Sequence, residues 1–374
     1  MNIGFDAKRA YLNNTGLGNY SRDTIRILSN FYPSNHYHLF TPKAVKNKRL
    51  DFIQSQPNIK VHTPQRILHK SIPSLWRSLS LTHEIEKYNL DIYHGLSHEL
   101  PIGVQRKKTK TVVSVHDLIA IRFPQFFSAL DRYSYVKKSR YACQIADKII
   151  AVSQQTKEDI IRFFEIDERK IEVVYQGCNS VFQKNITDSI LKEVRIRYHL
   201  PEKYLLYVGT IEERKNLMSL LKTVKQLPDY QLVVIGNGKA YKTQCLKYIE
   251  ANNMQKQIIF LSHLSLDEMA AVYRQAHLMI YPSFFEGFGI PILEALFSEI
   301  PVITTMGGCF SEAGGPNSSY INPSDIEQLK HEIIDISNNV ERRNLMIESG
   351  KKYANNFTDQ NIAKRLFSIY QNML

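Results

Sequence analysis

Tyr281-Pro282-Ser283-Phe284-Phe285-Glu286-Gly287-Phe288-Gly289-Ile290-Pro291-Ile292-Leu293-Glu294-Ala295-Leu296 is the stretch from which the architecture is read. The apolar run Leu278–Ile280 predicts a strand ending at Tyr281, a glycine-bearing loop follows, and Pro291 in the first turn opens a helix over Ile290–Phe297. A strand running through a loop into a helix is half of a parallel βαβ unit. Such sheets bind ligands outside the carboxyl ends of their strands, so this loop carries the most weight. Glu286 lies in the loop and Glu294 inside the helix. A carboxylate accepting paired hydrogen bonds suits a ribose or hexose diol, and Gly287 and Gly289 free backbone N–H groups for a phosphate. Two carboxylates also suit a glycosidase, but a doubly wound sheet puts them in a nucleotide crevice. The plainer alternative is a capped helix with one exposed glutamate.

Outward from this unit, short β-branched runs alternate with amphipathic stretches. Strands are predicted at Ile3–Phe5, Tyr37–Phe40, Ile59–Val61, Ile92–His94, Thr111–Val115, Lys148–Val152 and Ile171–Val174. The pattern restarts at Tyr204–Val208, Gln231–Ile235, Ile258–Phe260, Leu278–Ile280 and Val302–Thr304. Helices are predicted at Leu17–Leu28, Leu75–Tyr88, Ala129–Ala146 and Gln154–Phe164, then at Asn216–Gln226, Leu266–Gln275 and Ile290–Phe297. Two successive sets of alternating strands and helices predict two Rossmann-like α/β domains with parallel sheets. The strand pattern is weakest at about 176–200, which places the linker there.

Size and composition agree with two globular domains. The chain has 374 residues, 43% hydrophobic and 22% charged, and a single core rarely grows past about 250–300 residues. No apolar run approaches a membrane span, and the start, Met1-Asn2-Ile3-Gly4-Phe5-Asp6, does not read as a signal peptide. Cys143, Cys178, Cys245 and Cys309 are scattered, which argues against a disulfide framework or zinc site and predicts a reducing, cytoplasmic setting. The net charge of +12 is uneven: residues 1–190 hold 28 Lys and Arg against 17 Asp and Glu, whereas 191–374 hold 20 against 19. A basic half suits nucleic acid, an anionic membrane or a phosphorylated substrate; a solvated surface is the plain alternative. No helix-turn-helix, zinc or RNP signature supports nucleic acid.

Three further places follow predicted strands. Asn13-Asn14-Thr15-Gly16-Leu17-Gly18-Asn19 opens a helix, and Gly16 and Gly18 permit close approach of an anion; the third glycine of a dinucleotide fingerprint is missing. Thr111–Val115 ends in His116-Asp117, where a histidine can hydrogen-bond a sugar hydroxyl or handle a proton, or simply cap the strand. Gly209-Thr210-Ile211-Glu212-Glu213-Arg214-Lys215-Asn216 places two cations beside a helix start, suited to a diphosphate although it is no P-loop.

In this order and spacing, these segments resemble the family 4 retaining glycosyltransferases of GT-B fold. Glu286-Gly-Phe-Gly-Ile-Pro-Ile-Leu-Glu294 is similar to the family's Glu-x7-Glu motif. Ile3-Gly4-Phe5-Asp6, Thr15–Tyr20, Val115-His116-Asp117-Leu118 and Ala151-Val152-Ser153 resemble its N-domain, and the Phe357-Thr358-Asp359 helix its return segment. The resemblance implies an N-terminal acceptor domain over 1–180, a nucleotide-sugar domain over 181–356 and a C-terminal helix over 357–374 crossing back, with the sheets facing a central cleft that closes over the donor. It implies that Glu294 binds the donor ribose and Glu286 the hexose. The loop Gly287, Phe288, Gly289 and Ile290 then approaches sugar or phosphate, and Lys215 neutralises the diphosphate. Gly16 leaves room for the diphosphate, with Gly18 beside it, and His116 touches the transferred sugar. Ser262-His263-Leu264 lies where the family holds the nucleobase. Thr210 stands where many relatives have Arg, so the second cation must come from Arg214 or elsewhere.

The implied mechanism retains anomeric configuration without a protein nucleophile: Lys215 and backbone N–H groups stabilise the leaving phosphate, which accepts the acceptor's proton. No Asp-x-Asp stands where a metal-bridged diphosphate would need it, so neither metal nor cofactor is expected. The subgroup resembled acts in bacterial surface-polysaccharide assembly. It implies a hexosyl, preferentially mannosyl, donor such as GDP-mannose and a glycan or polyprenyl-linked acceptor. UDP-sugar and dTDP-rhamnose donors are the alternatives, as are an epimerase or phosphorylase on the same fold. Membrane contact at the inner face is expected through the basic half, with Arg132–Lys138 and Trp76-Arg77 as candidate segments.

Overall fold

The computed structural model describes residues 1–65 and 76–374; Leu75, the first residue of one predicted helix, lies outside the described residues. The chain divides into two compact units: residues 1–176 with 359–374, and residues 177–358. These boundaries fall within a few residues of the 180/181 and 356/357 divisions expected from the sequence.

The first unit holds seven strands: β1 (Asn2–Asp6), β2 (His36–Phe40), β3 (Ile59–His62), β4 (Ile92–Gly95), β5 (Lys110–Val115), β6 (Lys148–Ala151) and β7 (Ile171–Val173). They lie parallel in the order β3-β2-β1-β4-β5-β6-β7. β1 is central, with Ile3 opposite Tyr37 of β2 on one side and Ile92 of β4 on the other. Every residue of β4 is buried, as a parallel strand covered on both faces requires. The core on one face joins Phe40, Leu81, Ile85, Tyr93, Val113, Val115, Ile149 and Ile160. Ser153 caps the helix Gln154–Phe164, its hydroxyl accepting from the Thr156 N–H at 3.1 Å. The C-terminal helix Asp359–Gln371 packs on the helix Gly16–Phe31, pinned by an Arg26–Asp359 ion pair at 2.7 Å.

The second unit holds β8 (Tyr204–Val208), β9 (Gln231–Ile235), β10 (Ile258–Leu261), β11 (Leu278–Tyr281), β12 (Val302–Thr305) and β13 (Ser319–Ile321), parallel in the order β10-β9-β8-β11-β12-β13. Both sheets therefore start at a central strand, run to one edge, then return and continue to the other. The order reverses between β1 and β4, and again between β8 and β11. At these switch points neighbouring loops diverge and leave a crevice at the carboxyl ends.

All twelve predicted strands are present, with ends shifted by a residue or so. β13 escaped prediction because three residues, Ser319-Tyr320-Ile321, are too few to show a period. The helix Ala240–Ala251 was missed because only Cys245 and Ile249 are buried, too sparse a stripe to read. The chain leaves the first unit at Gln176, within the segment at about 176–200 expected to hold the linker, and the polar stretch there forms the helix Asp188–Arg197, which packs on Leu266–Gln275 within the second unit.

One expectation is overturned. Trp76-Arg77 does not offer an aromatic-basic membrane contact. Trp76 is fully buried, its indole N–H donating to Glu84 Oε1 at 2.7 Å, and Arg77 is buried between the Asp6 and Glu99 carboxylates. The local path explains the error: a π-helical turn, Trp76–Ser80, precedes the helix Leu81–Lys87, so the extrapolated α-helical face does not hold. Trp76 is the chain's single tryptophan. Its fluorescence should be that of a buried indole and shift to the red as the first unit unfolds. Trp76→Ala should cost that unit about 3–5 kcal/mol in denaturant titrations followed by circular dichroism.

Candidate functional site

The crevice of the second unit is built from the loops after β8 and β11. Gly209 follows β8 with φ +150°, a conformation that glycine adopts readily. Its carbonyl is packed by the next loop: a Cβ on Gly236 would lie 1.9 Å from Gly209 O. Ile211 N–H donates to Asn237 O at 2.8 Å, extending the pairing of β8 and β9 beyond the strands. The chain then makes a 3-10 turn, Glu213–Lys215, and passes Asn216, in the left-handed region at φ +57°, to start the helix Leu217–Lys225. The Asn216 amide donates to Pro282 O at 3.2 Å and Pro323 O at 2.7 Å, tying together the loops after β8, β11 and β13. The Phe284 N–H donates to Arg214 O at 2.9 Å, a second tie.

These ties bring three predicted residues together. Glu286 Oε1 lies 2.6 Å from Lys215 Nζ and 2.9 Å from an Arg214 guanidinium nitrogen, and all three side chains are largely buried. Lys215 also donates to the Tyr281 hydroxyl at 2.6 Å, over whose ring its ammonium sits at 5.0 Å. Arg214 further binds Phe285 O at 2.6 Å and Glu212 at 2.5 Å. Burial alone would raise the Glu286 carboxyl, but Lys215, Arg214 and the Ser283 hydroxyl hold it at about 2. Burial draws the Lys215 ammonium below its ordinary value, against the pull of Glu286. Arg214, and not the exposed Thr210, meets the same carboxylate as Lys215.

Glu294 projects from the helix Ile290–Phe297 and accepts a hydrogen bond from the buried Tyr273 hydroxyl at 2.7 Å. Gly289, at φ +117°, is the turn residue that starts this helix. Phe288 is buried, its ring 5.9 Å from that of Phe357, and the flanking Gly287 and Ile290 are partly exposed. Ser262 and His263 are exposed and Leu264 partly so; His263 takes φ +60°, just before Ser265 caps the helix Leu266–Gln275. Tyr281, Tyr273, Ser283 and Asn216 were not singled out from the sequence. Their roles rest on contacts across the sheet, and no spacing rule joins Tyr273 to Glu294.

In the first unit, His116 follows β5 and is buried. Its Nε2–H donates to Leu96 O at 2.9 Å, and Nδ1 accepts from the Gln176 amide at 3.0 Å. Burial lowers the ring to about 4, so it is neutral at physiological pH with both nitrogens engaged. Tyr20 lies edge-on to it at 4.5 Å. A Cβ on Gly18 would strike Asn13 O at 1.9 Å, so Gly18 is required by the turn itself, whereas a Cβ on Gly16 would meet nothing within 4 Å. The four cysteines are buried thiols, none of them in a disulfide. Among the described residues no cluster of His, Cys, Asp and Glu is arranged to hold a metal ion, and no helix is long and apolar enough to cross a membrane.

Two Rossmann-like units of this strand order make the GT-B fold of glycosyltransferases, and solved structures agree. Sucrose-phosphate synthase from Thermosynechococcus elongatus superposes with a TM-score of 0.79 at 17% identity, covering 100% of this chain and 99% of that one. HepE from Anabaena, solved in complex with UDP and glucose, gives 0.79 at 15% identity with the same coverage. Residues 193–353 match the family model described as "Glycosyl transferases group 1" and residues 24–181 match "Glycosyltransferase Family 4". The chain belongs to these glycosyltransferases. It is 25% identical over 372 residues to O-antigen chain mannosyltransferase B of Escherichia coli, covering 96% of each. It is 29% identical over 302 residues to O-antigen chain mannosyltransferase RfbU of Salmonella typhimurium, covering 76% of this chain and 79% of that protein.

A carboxyl at about 2 in the fold, against an ordinary 4.5, favours the folded state fully above about pH 4.5 and loses that contribution as pH falls towards 2. Glu286→Gln should flatten this stretch of the stability–pH curve. It should also lower neutral-pH stability by about 3–5 kcal/mol, because the buried Lys215 loses its carboxylate and Arg214 one of its two. Denaturant unfolding of both chains across pH measures each effect; parallel curves of equal height would show that the pairing contributes nothing.

Proposed function

We propose that the protein transfers a mannosyl group from GDP-mannose, with retention of anomeric configuration, to a hydroxyl of a lipid-linked or growing glycan in bacterial surface-polysaccharide assembly. The observation that carries the reading is the buried cation pair Lys215 and Arg214 at the β8/β11 switch point, sharing one carboxylate. Their carboxylate partners, Glu286 and the more exposed Glu212 on Arg214, are each singly charged, so a donor diphosphate competes for both cations. The mannosyl choice is supported by the two O-antigen mannosyltransferases that the chain resembles along most of its length.

In this reading the donor diphosphate takes over Lys215 and Arg214 from Glu286, whose carboxylate turns to the hexose hydroxyls. Glu294, oriented by Tyr273, accepts hydrogen bonds from the ribose. Backbone N–H groups of Gly287, Phe288, Gly289 and Ile290 lie at a helix start, where an anion is favoured. Ser262, His263 and Leu264 border the nucleobase, and Thr210 lies beside the diphosphate. The bond from the anomeric carbon to the phosphate oxygen breaks as that carbon bonds to the acceptor oxygen. The acceptor's proton passes to the departing phosphate, so no protein base is needed. Lys215 and Arg214 stabilise the charge that develops on the leaving group. His116 acts as a neutral hydrogen-bonding partner of the sugar, exchanging its Gln176 contact, and not as a proton carrier.

The protein would work in the cytoplasm against the inner membrane face. The helix Ala129–Ile145 supports this: Leu130 is 83% and Tyr133 66% exposed, and Arg132, Lys137 and Lys138 are exposed beside them. Reversing these three charges to Glu should abolish co-sedimentation with vesicles containing anionic phosphatidylglycerol while leaving donor binding intact. Unchanged sedimentation would remove the helix from membrane contact.

Thermal unfolding with GDP-mannose, other GDP-sugars, UDP-sugars and dTDP-rhamnose tests the donor. GDP-mannose should give the largest rise in midpoint; a larger rise with a UDP- or dTDP-sugar would reassign it, and no rise with any would overturn the reading. Lys215→Ala and Glu294→Ala should each reduce kcat/KM by about a hundredfold or more while keeping a cooperative fold. Tyr273→Phe should raise the donor KM several-fold with little change in kcat.

A further inference from the structure

The first sheet has its own switch point, between β1 and β4, and apart from Lys138 the side chains gathered there have no role in the function proposed above. Asp6 ends β1, and its Oδ2 pairs with Arg77 at 2.5 Å. Glu99, in the loop after β4, pairs with Arg77 at 3.0 Å through one oxygen and with Lys138 at 3.5 Å through the other. Arg77 is about nine-tenths buried, and its Nε, also buried, has no hydrogen-bond partner among the described residues. Lys8 and Arg9 come two and three positions after Asp6, both half-buried. Among the described residues, neither the Lys8 ammonium nor the Arg9 guanidinium has a hydrogen-bond or ion-pair partner.

Four cations, Lys8, Arg9, Arg77 and Lys138, thus surround two carboxylates, leaving two positive charges uncompensated at the carboxyl edge of a parallel sheet. Burial, then the Arg77 charge, draws Lys8 below its ordinary value, and Arg9 helps to hold His98 and His116 neutral. Charged groups withdrawn from water without a partner are costly, and a multiply charged anion is the ligand that relieves that cost. Asp6 and Glu99 fix Arg77 in place and exclude it from the ligand's first choice of partner. The two unpaired heads remain, and they suit adjacent phosphate oxygens.

We propose that Lys8 and Arg9 form a phosphate-binding subsite at the β1/β4 switch point of the first unit, taking a phosphoryl or diphosphoryl group of a substrate. Assignment to a substrate rests on the glycosyl-transfer reading; the anion site itself does not. The group belongs either to the acceptor, as in a diphosphate-linked glycan, or to the nucleotide-sugar donor.

The test uses inorganic pyrophosphate as probe, titrated calorimetrically into the full chain carrying Lys215→Ala, which disables the second unit's cation pair. Lys8→Gln with Arg9→Gln should weaken the remaining pyrophosphate binding about tenfold or more, whereas Lys8→Arg with Arg9→Lys should retain it within about threefold. An unchanged unfolding midpoint establishes that the glutamine variant is folded; if it is not, Lys8→Gln alone is titrated. No pyrophosphate binding in the Lys215→Ala chain, or equal binding with and without the glutamines, overturns the proposal. With Lys215 restored, a rise in acceptor KM alone assigns the group to the acceptor, and a rise in donor KM assigns it to the donor. If the chain transfers no sugar at all, the pyrophosphate titration still decides whether the site exists.

Discussion

The second unit is organised around one buried carboxylate, Glu286, held between the Lys215 ammonium and the Arg214 guanidinium. Desolvating any of these groups alone would be costly, and together they are affordable only in the geometry that brings them into contact. That geometry needs the loop after β8 and the loop after β11 to stay in register. The Asn216 amide on Pro282, the Phe284 N–H on Arg214 and the Gly236 approach to Gly209 enforce it. The result is a preorganised pair of cations whose counter-ion is a side chain that a more strongly charged anion can replace. Tyr281 keeps the ammonium oriented, and Tyr273 does the same for the Glu294 carboxylate.

The first unit solves a different electrostatic problem. Its interior holds histidines that burial keeps neutral: His94, drawn down to about 3, bridges the Tyr370 hydroxyl and Ser114, and His116 bridges Leu96 and Gln176. The Tyr135 hydroxyl donates to Asp117 O at 2.7 Å and also contacts His98, whose Nε2 faces the His116 backbone N–H at 3.3 Å. Neutral rings with satisfied nitrogens give a rigid polar wall. At the β1/β4 edge Arg77 is clamped between carboxylates, whereas among the described residues Lys8 and Arg9 have no such partner. The excess of Lys and Arg in residues 1–190 divides between that edge and exposed positions such as Arg132, Lys137 and Lys138 on the helix Ala129–Ile145.

Much of this was legible before the structure. Strands buried on both faces read as short, largely apolar runs, so Thr111–Val115 and Tyr204–Val208 could be placed almost to the residue. The residues after such strands are where a parallel sheet binds ligands, and this rule selected Lys215, Glu286 and His116. Where a period was short or sparse, as in β13 or the helix Ala240–Ala251, nothing could be read. Where a local irregularity intervened, as in the π-helical turn at Trp76–Ser80, the extrapolated face was wrong, and an apparent surface pair proved buried.

The sequence by itself determined that the chain builds two parallel α/β sheets, that polar, glycine-bearing loops follow β1, β8 and β11, and that a His-Asp pair follows β5. Periodicity and turn chemistry are local properties, carried by neighbours a few residues apart. Only the tertiary structure decided which charges meet. Arg214 and Lys215 share the carboxylate of a residue some seventy positions away, Tyr273 reaches Glu294 from another helix, and Arg77 turns inward to Asp6. Electrostatic pairing depends on distance in space and on desolvation, and both are set when the strands assemble.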